Sequence, residues 1–204
     1  EQGWKYQQYI ACVEPLGEDR GKTPYALNPE QYGMFLTELF NLWYEDWKKG
    51  EQPYIRQFEN YIGILLGYQP ESCEQRGSCG TQNVVEADGS VYPCDFYALD
   101  EYKLGNFNCN RLEEIDKKRK EIAFVEQSQI VAENCKNCKF YKICKGGCRR
   151  NKDFNAMNGE YENYFCKSYR IFFDICLERM IQIVEIIKNQ NCLLYTSDAA
   201  DEGL

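Results

Sequence analysis

No histidine occurs among the 204 residues. That absence removes the imidazole acid/base group, the Ser-His-Asp triad, the Cys-His nucleophile pair and every histidine-liganded zinc site. Chemistry in this chain must come from thiolates, carboxylates, lysine, tyrosine or a cofactor. Positive charge is in deficit as well: 24 Lys and Arg stand against 32 Asp and Glu, a formal net charge of −8. A net negative chain without a basic run repels phosphate backbones, which argues against nucleic acid as a partner. No apolar run approaches the roughly 20 residues that span a bilayer, and Glu1-Gln2-Gly3-Trp4 has no signal-peptide anatomy. The expectation is a soluble, cytoplasmic, monomeric protein with no membrane partner.

Cysteine, in contrast, is plentiful, with 12 residues. A chain of this length buries a full core without disulfide staples. The cysteines fall in tight pairs rather than scattered partners, which points away from a secreted disulfide scaffold and toward reduced thiols that bind something.

The pattern along the chain is α+β. Residues 7–13 predict a short buried strand, followed by a polar loop to Leu27. Asn28 as cap, Pro29 at the first helical position and Gln31 reaching back predict a helix start. Tyr32, Phe35, Leu36, Leu39, Phe40, Trp43 and Trp47 recur at helical steps to a stop at Gly50. A second helix is expected through Phe58 to Leu66. Asn83 to Ala87 and Ser90 to Pro93 predict a β-hairpin closed by the two-residue turn Asp88-Gly89, with Ala87 opposite Ser90 and Asn83 opposite Cys94. Residues 111–122 predict a short charged helix. Tyr164 to Lys188 predict a long amphipathic helix with Phe172, Ile175, Cys176, Met180, Ile183, Val184 and Ile187 on its apolar face. Cys176 then serves as a small buried hydrophobe.

Nine of the cysteines lie between Cys73 and Cys166. Two groups stand out: Cys73-x5-Cys79 with Cys94 after the hairpin, and Cys135-x2-Cys138-x5-Cys144-x3-Cys148 with Cys166 further on. Together they supply two tetrahedral sets of thiolates. Cys-x2-Cys lets two sulfurs converge on one centre across a turn, the spacing of zinc and iron–sulfur sites alike. Gly146-Gly147 lets backbone approach an inorganic cluster where a Cβ would collide. The first group holds three cysteines and the second five, so one ligand crosses over, and Cys148 and Cys166 are both candidates. Two structural zinc sites fit the same spacing. Cys109 belongs to neither set. Asp95, directly after Cys94, is either a carboxylate facing the site or a solvated turn residue. Arg149-Arg150 either neutralises an anionic cluster or is a solvated pair.

The stretches Cys73 to Gly80, Asp88 to Asp95, Gly105-Asn106, Cys135 to Cys148 and Cys166 resemble the SPASM domain of radical S-adenosylmethionine enzymes, closest to the anaerobic sulfatase-maturating enzymes. The resemblance implies one auxiliary [4Fe–4S] cluster on Cys73, Cys79, Cys94 and Cys148, a second on Cys135, Cys138, Cys144 and Cys166, and Asp95 as general base. It implies that residues 1–72 are the C-terminal end of a partial (β/α) barrel with linking helices. Residues 73–190 would then form the auxiliary iron–sulfur domain with its hairpin and long C-terminal helix. Residues 191–204 resemble translated adapter read-through and are expected to be a non-native tail, which sets Cys192 aside.

The Cys-x3-Cys-x2-Cys motif of the radical-generating cluster is absent, so the chain is expected to be the C-terminal half of a maturase, inactive alone. S-adenosylmethionine and a third [4Fe–4S] cluster would belong to the other half. In the whole enzyme the implied reaction starts when a 5′-deoxyadenosyl radical removes a β-hydrogen from a cysteine or serine of an unfolded sulfatase segment. Loss of a proton and an electron then leads to formylglycine, with flavodoxin or ferredoxin as the reducing donor. A SPASM enzyme acting on another peptide, or a non-catalytic metal-binding module, are the competing expectations.

Overall fold

The computed structural model describes residues 3–189; the expected tail at 191–204, with Cys192, lies outside them. Helix capping and aromatic burial account for most of the architecture. The first helix, α1 (Pro29–Lys49), starts where Asn28 Oδ1 accepts the Gln31 N–H at 2.8 Å while Gln31 Oε1 accepts the Asn28 N–H at 3.3 Å. It ends at Gly50 in the left-handed region, as its sequence predicts. The second long helix, α8 (Cys166–Asn189), lies against α1, and α2 (Arg56–Leu66) packs beside both.

The core sits among these three helices. Phe172, fully buried, has ring centroids at 5.9 Å from Phe40, 5.8 Å from Phe58, 5.9 Å from Tyr61 and 5.3 Å from Phe173. Cys176 and Met180 are fully buried beneath them. Ile175 departs from expectation: it is 53% exposed, because α1 and α2 cover only part of the apolar arc of α8. Gly33 marks the close crossing of α1 and α8, since a Cβ there would stand 3.0 Å from Ser168 Cα. Ser168 Oγ donates to Pro29 O at 2.6 Å across the same crossing.

The strand expected over 7–13 is shorter. Only β1 (Tyr6–Gln7) is paired, in parallel with β2 (Tyr54–Ile55). Residues 8–13 keep alternating exposure without a ladder partner among the described residues. The loop that follows is tied down at a distance: Arg20 makes a two-pronged bond to Asp153 and the Arg150 guanidinium donates to Glu14 O.

The hairpin forms with a register one residue away from the expected one. In β3 (Val84–Val85) and β4 (Ser90–Tyr92), Val84 pairs with Tyr92 and Val85 with Val91. The loop is therefore three residues, 87–89, with Gly89 at φ 84 and the Glu86 N–H bonded to Ser90 O. This is a turn plus left-handed glycine. Asp88 fixes it by accepting from both Ser90 N (2.9 Å) and Ser90 Oγ (2.7 Å). Asn83 consequently does not lie opposite Cys94. A third strand, β5 (Gly105–Asn106), joins the other edge of β4. Beyond it come α4 (Leu112–Glu121), α5 (Phe124–Ser128) and the one-turn helices α6 (Glu133–Lys136) and α7 (Tyr141–Cys144). A second hairpin, β6 (Lys152–Asn155) and β7 (Glu160–Asn163), leads into α8. No helix among the described residues is long and apolar enough to cross a membrane.

Candidate metal centres

Local turns present the thiols. Cys73 opens a one-turn helix, α3 (Cys73–Arg76), whose left-handed cap Gly77 turns the chain toward Cys79. The Cys79 N–H is held by Ser128 Oγ at 2.8 Å. Cys94 follows β4 and Pro93, so the sheet carries it to the same place. Cys135 lies in α6 and Cys144 ends α7, with Cys138 between them. After Cys144 three consecutive residues, Lys145, Gly146 and Gly147, have φ of 55, 82 and 70. That run of left-handed residues bends the chain sharply before Cys148.

The result is two cavities. Cys73, Cys79, Cys94 and Cys148 line one of about 250 Å³, together with Asp95, Tyr97 and Arg149. Cys135, Cys138, Cys144 and Cys166 line the other, about 440 Å³, with Tyr169 and Arg170. The electrostatic neighbourhoods follow the same division. Cys73 and Cys79 act on Cys148, and Cys79 acts on Cys94. Cys166, Cys135 and Cys138 act on Cys144. Burial pushes the thiols of Cys94, Cys144 and Cys148 up to about 12. Burial also raises Cys79, Cys135 and Cys166. Such thiols become thiolates only as a cation displaces their protons.

Four thiols around each cavity are a donor set that a four-iron cluster accepts, with one thiolate at each corner. Every described cysteine is a free thiol. Among the described residues no group of three or more Cys, Asp or Glu is gathered as tightly as one metal ion requires. Tetrahedral zinc at Zn–S of about 2.3 Å would draw its sulfurs to about 3.8 Å apart, whereas a four-iron cluster takes a thiolate at each corner and spreads them. Gly146 faces open space, with nothing within 4 Å of the position of a Cβ. Gly147 is required for a different reason from cluster approach: a Cβ there would stand 2.3 Å from Asn163 Nδ2.

Asp95 begins a single 3-10 turn and is exposed. Its Oδ1 accepts the Cys94 thiol at 3.1 Å and the Phe96 N–H at 3.0 Å. The carboxylate thus faces the first cavity at its rim. Arg149 and Arg150 are not a solvated pair. Arg149 lies over the Phe124 ring at 4.4 Å and donates to Phe124 O and Gln127 Oε1, with its charge acting on Cys79. Arg150 is 7% exposed. Lys152 donates to Ser128 O at 2.9 Å and its charge acts on Cys135, Cys79 and Cys148, which places it between the two sets. Cys109 is exposed beside Asn106 and Asn110 and joins neither set.

Two contributors were not anticipated. From Cys135 to Lys152 the chain carries seven basic and no acidic residues, a local excess that the net charge conceals. That signal was present in the sequence and suits two anionic centres. Glu74 and Tyr169 meet between the cavities, and no spacing rule announces such a contact.

Residues 73–139 match the SPASM family, an iron-sulfur cluster-binding domain. The chain is 43% identical over 188 residues to a cysteine-type anaerobic sulfatase-maturating enzyme of Clostridium perfringens (strain 13 / Type A), covering 92% of this chain and 51% of that enzyme. It is 30% identical over 190 residues to a serine-type anaerobic sulfatase-maturating enzyme of Bacteroides thetaiotaomicron, covering 92% of this chain and 45% of that one. Native anSMEcpe with bound AdoMet and the Kp18Cys peptide superposes with a TM-score of 0.82 at 42% identity, over 90% of this chain and 51% of that chain. The chain therefore spans about half the length of the curated relatives it matches. With its SPASM iron–sulfur segment at residues 73–139 and similarity along nine-tenths of its length, it is a homologue of the anaerobic sulfatase-maturating enzymes over that half.

Proposed function

We propose that this chain is the auxiliary-cluster half of an anaerobic sulfatase maturase, a radical S-adenosylmethionine oxidoreductase that converts a residue of an unfolded sulfatase segment to formylglycine. The observation that carries the reading is the sorting of eight thiols around two cavities, with a carboxylate at the rim of the first. In this reading Cys73, Cys79, Cys94 and Cys148 hold one [4Fe–4S] cluster and Cys135, Cys138, Cys144 and Cys166 hold the other. When bound, the clusters supply one-electron acceptance next to the substrate. S-adenosylmethionine, its own cluster and the contact with a flavodoxin or ferredoxin belong to the part of the relatives' length that this chain does not span. Greater identity to a cysteine-type relative (43%) than to a serine-type one (30%) supports cysteine as the residue oxidised.

Asp95 takes the proton. Ligation of Cys94 removes its S–H and frees Asp95 Oδ1, leaving one backbone donor, Phe96 N–H, to hold the carboxylate in place. A positioned carboxylate suffices because the substrate loses its proton together with an electron. Arg149, fixed over Phe124 and Tyr97, keeps positive charge on the cavity wall. The test uses the enzyme with both halves present. Asp95→Asn should lower formylglycine formation by roughly 10²–10⁴-fold, the range for losing a positioned base, while iron content and S-adenosylmethionine cleavage persist. Loss of iron would make Asp95 a support for the cluster, and an unchanged rate would remove its role as base.

A further inference from the structure

Cys73 and Cys166 line different cavities, yet their neighbours touch. Glu74 follows Cys73 in α3 and lines the first cavity; Tyr169 lies three residues beyond Cys166, one turn into α8, and lines the second. The Tyr169 hydroxyl donates to Glu74 Oε1 at 2.5 Å. Tyr169 is 3% exposed, with its ring 6.3 Å from that of Tyr32 and its Cε2 3.5 Å from where a Cβ on Gly147 would be. Neither side chain has a part in the acid–base chemistry above. Burial raises the pKa of both, so the pair costs desolvation that two packed apolar side chains would not. What the pair adds is a continuous connection between the two thiol sets.

We propose that the Tyr169–Glu74 hydrogen bond carries electron exchange between the two cluster sites, along Cys73, the Glu74 carboxyl, the Tyr169 ring and one helical turn to Cys166. The proposal rests on the reading that each tetrad holds a [4Fe–4S] cluster. One electron leaves the centre on the first tetrad, which is oxidised, and reduces the centre on the second; no bond forms or breaks. The phenolic proton stays on Tyr169, so the ring is a medium and not a carrier. In the maturase reaction this gives the electron taken from the substrate a route from the first site to the second, whose Cys166, like Cys73 of the first, is exposed.

The test uses the whole chain, reconstituted anaerobically, with signals assigned from Cys94→Ala and Cys166→Ala chains. A deazaflavin photoreductant delivers less than one electron per chain, and freeze-quench EPR follows its redistribution between the two signals. Tyr169→Phe removes one hydroxyl and keeps the ring. It should retain about eight irons and both signals while redistribution slows severalfold. Glu74→Gln keeps an acceptor oxygen for Tyr169 and should redistribute at the wild-type rate. Wild-type redistribution in Tyr169→Phe would overturn the proposal. So would equal slowing in Glu74→Gln, which would assign the effect to charge, and so would loss of iron in Tyr169→Phe, which would make the pair a structural support. A wild-type chain holding one cluster would instead overturn the two-cluster reading, and the iron count separates that failure from the others.

Discussion

Gly77 is the point at which the two cysteine loops press against each other, and Gly77→Ala tests how tightly they are joined. The residue caps α3 at φ 72, with its N–H bonded to Cys73 O and Glu74 O. A Cβ there would stand 2.3 Å from Lys145 O and 2.6 Å from Lys145 Cβ. Both obstacles belong to a turn that cannot rotate aside, because Lys145 itself has φ 55 and is followed by two further left-handed residues. An L residue in the left-handed region costs about 1–2 kcal/mol, and forced overpacking adds about 1–3 kcal/mol. The sum, roughly 2–5 kcal/mol, corresponds to a Tm loss of about 4–20 °C for a chain of this size. Thermal melts of the iron-free chain measure it. Gly159→Ala is the control: its φ is 71 but nothing lies within 4 Å of a Cβ, so only the backbone share should appear. Reconstituted Gly77→Ala should also shift both cluster signals together, since Cys73 and Cys79 flank one side of the contact and Cys144 the other. Equal melts for the two variants, or a Gly77→Ala chain with both signals unchanged, would refute the argument.

Three further outcomes are expected. Anaerobic reconstitution should load about eight irons per chain, unchanged by Cys109→Ala or Cys176→Ala and read by iron analysis. Cys148→Ala should alter the same EPR signal as Cys94→Ala, and Cys166→Ala the other; grouping of Cys148 with Cys166 would reject the assignment of ligands. Phe172→Ala, at a fully buried site ringed by Phe40, Phe58, Tyr61 and Phe173, should destabilise the chain by about 3–5 kcal/mol in denaturant titration.

The helices were legible because their determinants are local. The Asn28 and Gln31 exchange, Pro29 and Gly50 are contiguous signals, and the structure reproduces each of them. The hairpin register was not, because Asp88-Gly89 is compatible with two-residue and three-residue loops. The choice is made by groups far along the chain: the Asn106 and Asn108 side-chain amides both donate to Asp88 O at 2.9 Å. A slip of one residue reverses the face of every side chain in a strand, so this distal contact decides where Val91 points. Val91 is fully buried, beside Leu104 and Ile115, and their small core follows from it. Periodicity likewise overstated Ile175, since it reports which residues share an arc and not how much of the arc a neighbour covers.

The cysteines themselves were evident from spacing, but the cavity each one lines depends on backbone handedness. Counting left Cys148 and Cys166 as equal candidates to cross between sets. Cys148 is four residues past Cys144, and a continued α7 would have kept the two on one side. Lys145, Gly146 and Gly147 in succession at positive φ send the chain the other way, and Cys148 emerges on the wall shared with Cys73 and Cys79. Cys166, although 22 residues from Cys144, returns to the second cavity because β6 and β7 fold back on each other before α8 begins. Asn163, the last residue of β7, fastens that return by donating to Gly146 O at 3.0 Å and accepting the Phe165 N–H at 2.8 Å. The glycine pair therefore has two functions that spacing alone did not separate. Gly146 leaves open space beside the thiols, and Gly147 admits the Asn163 amide that brings the start of α8 to them.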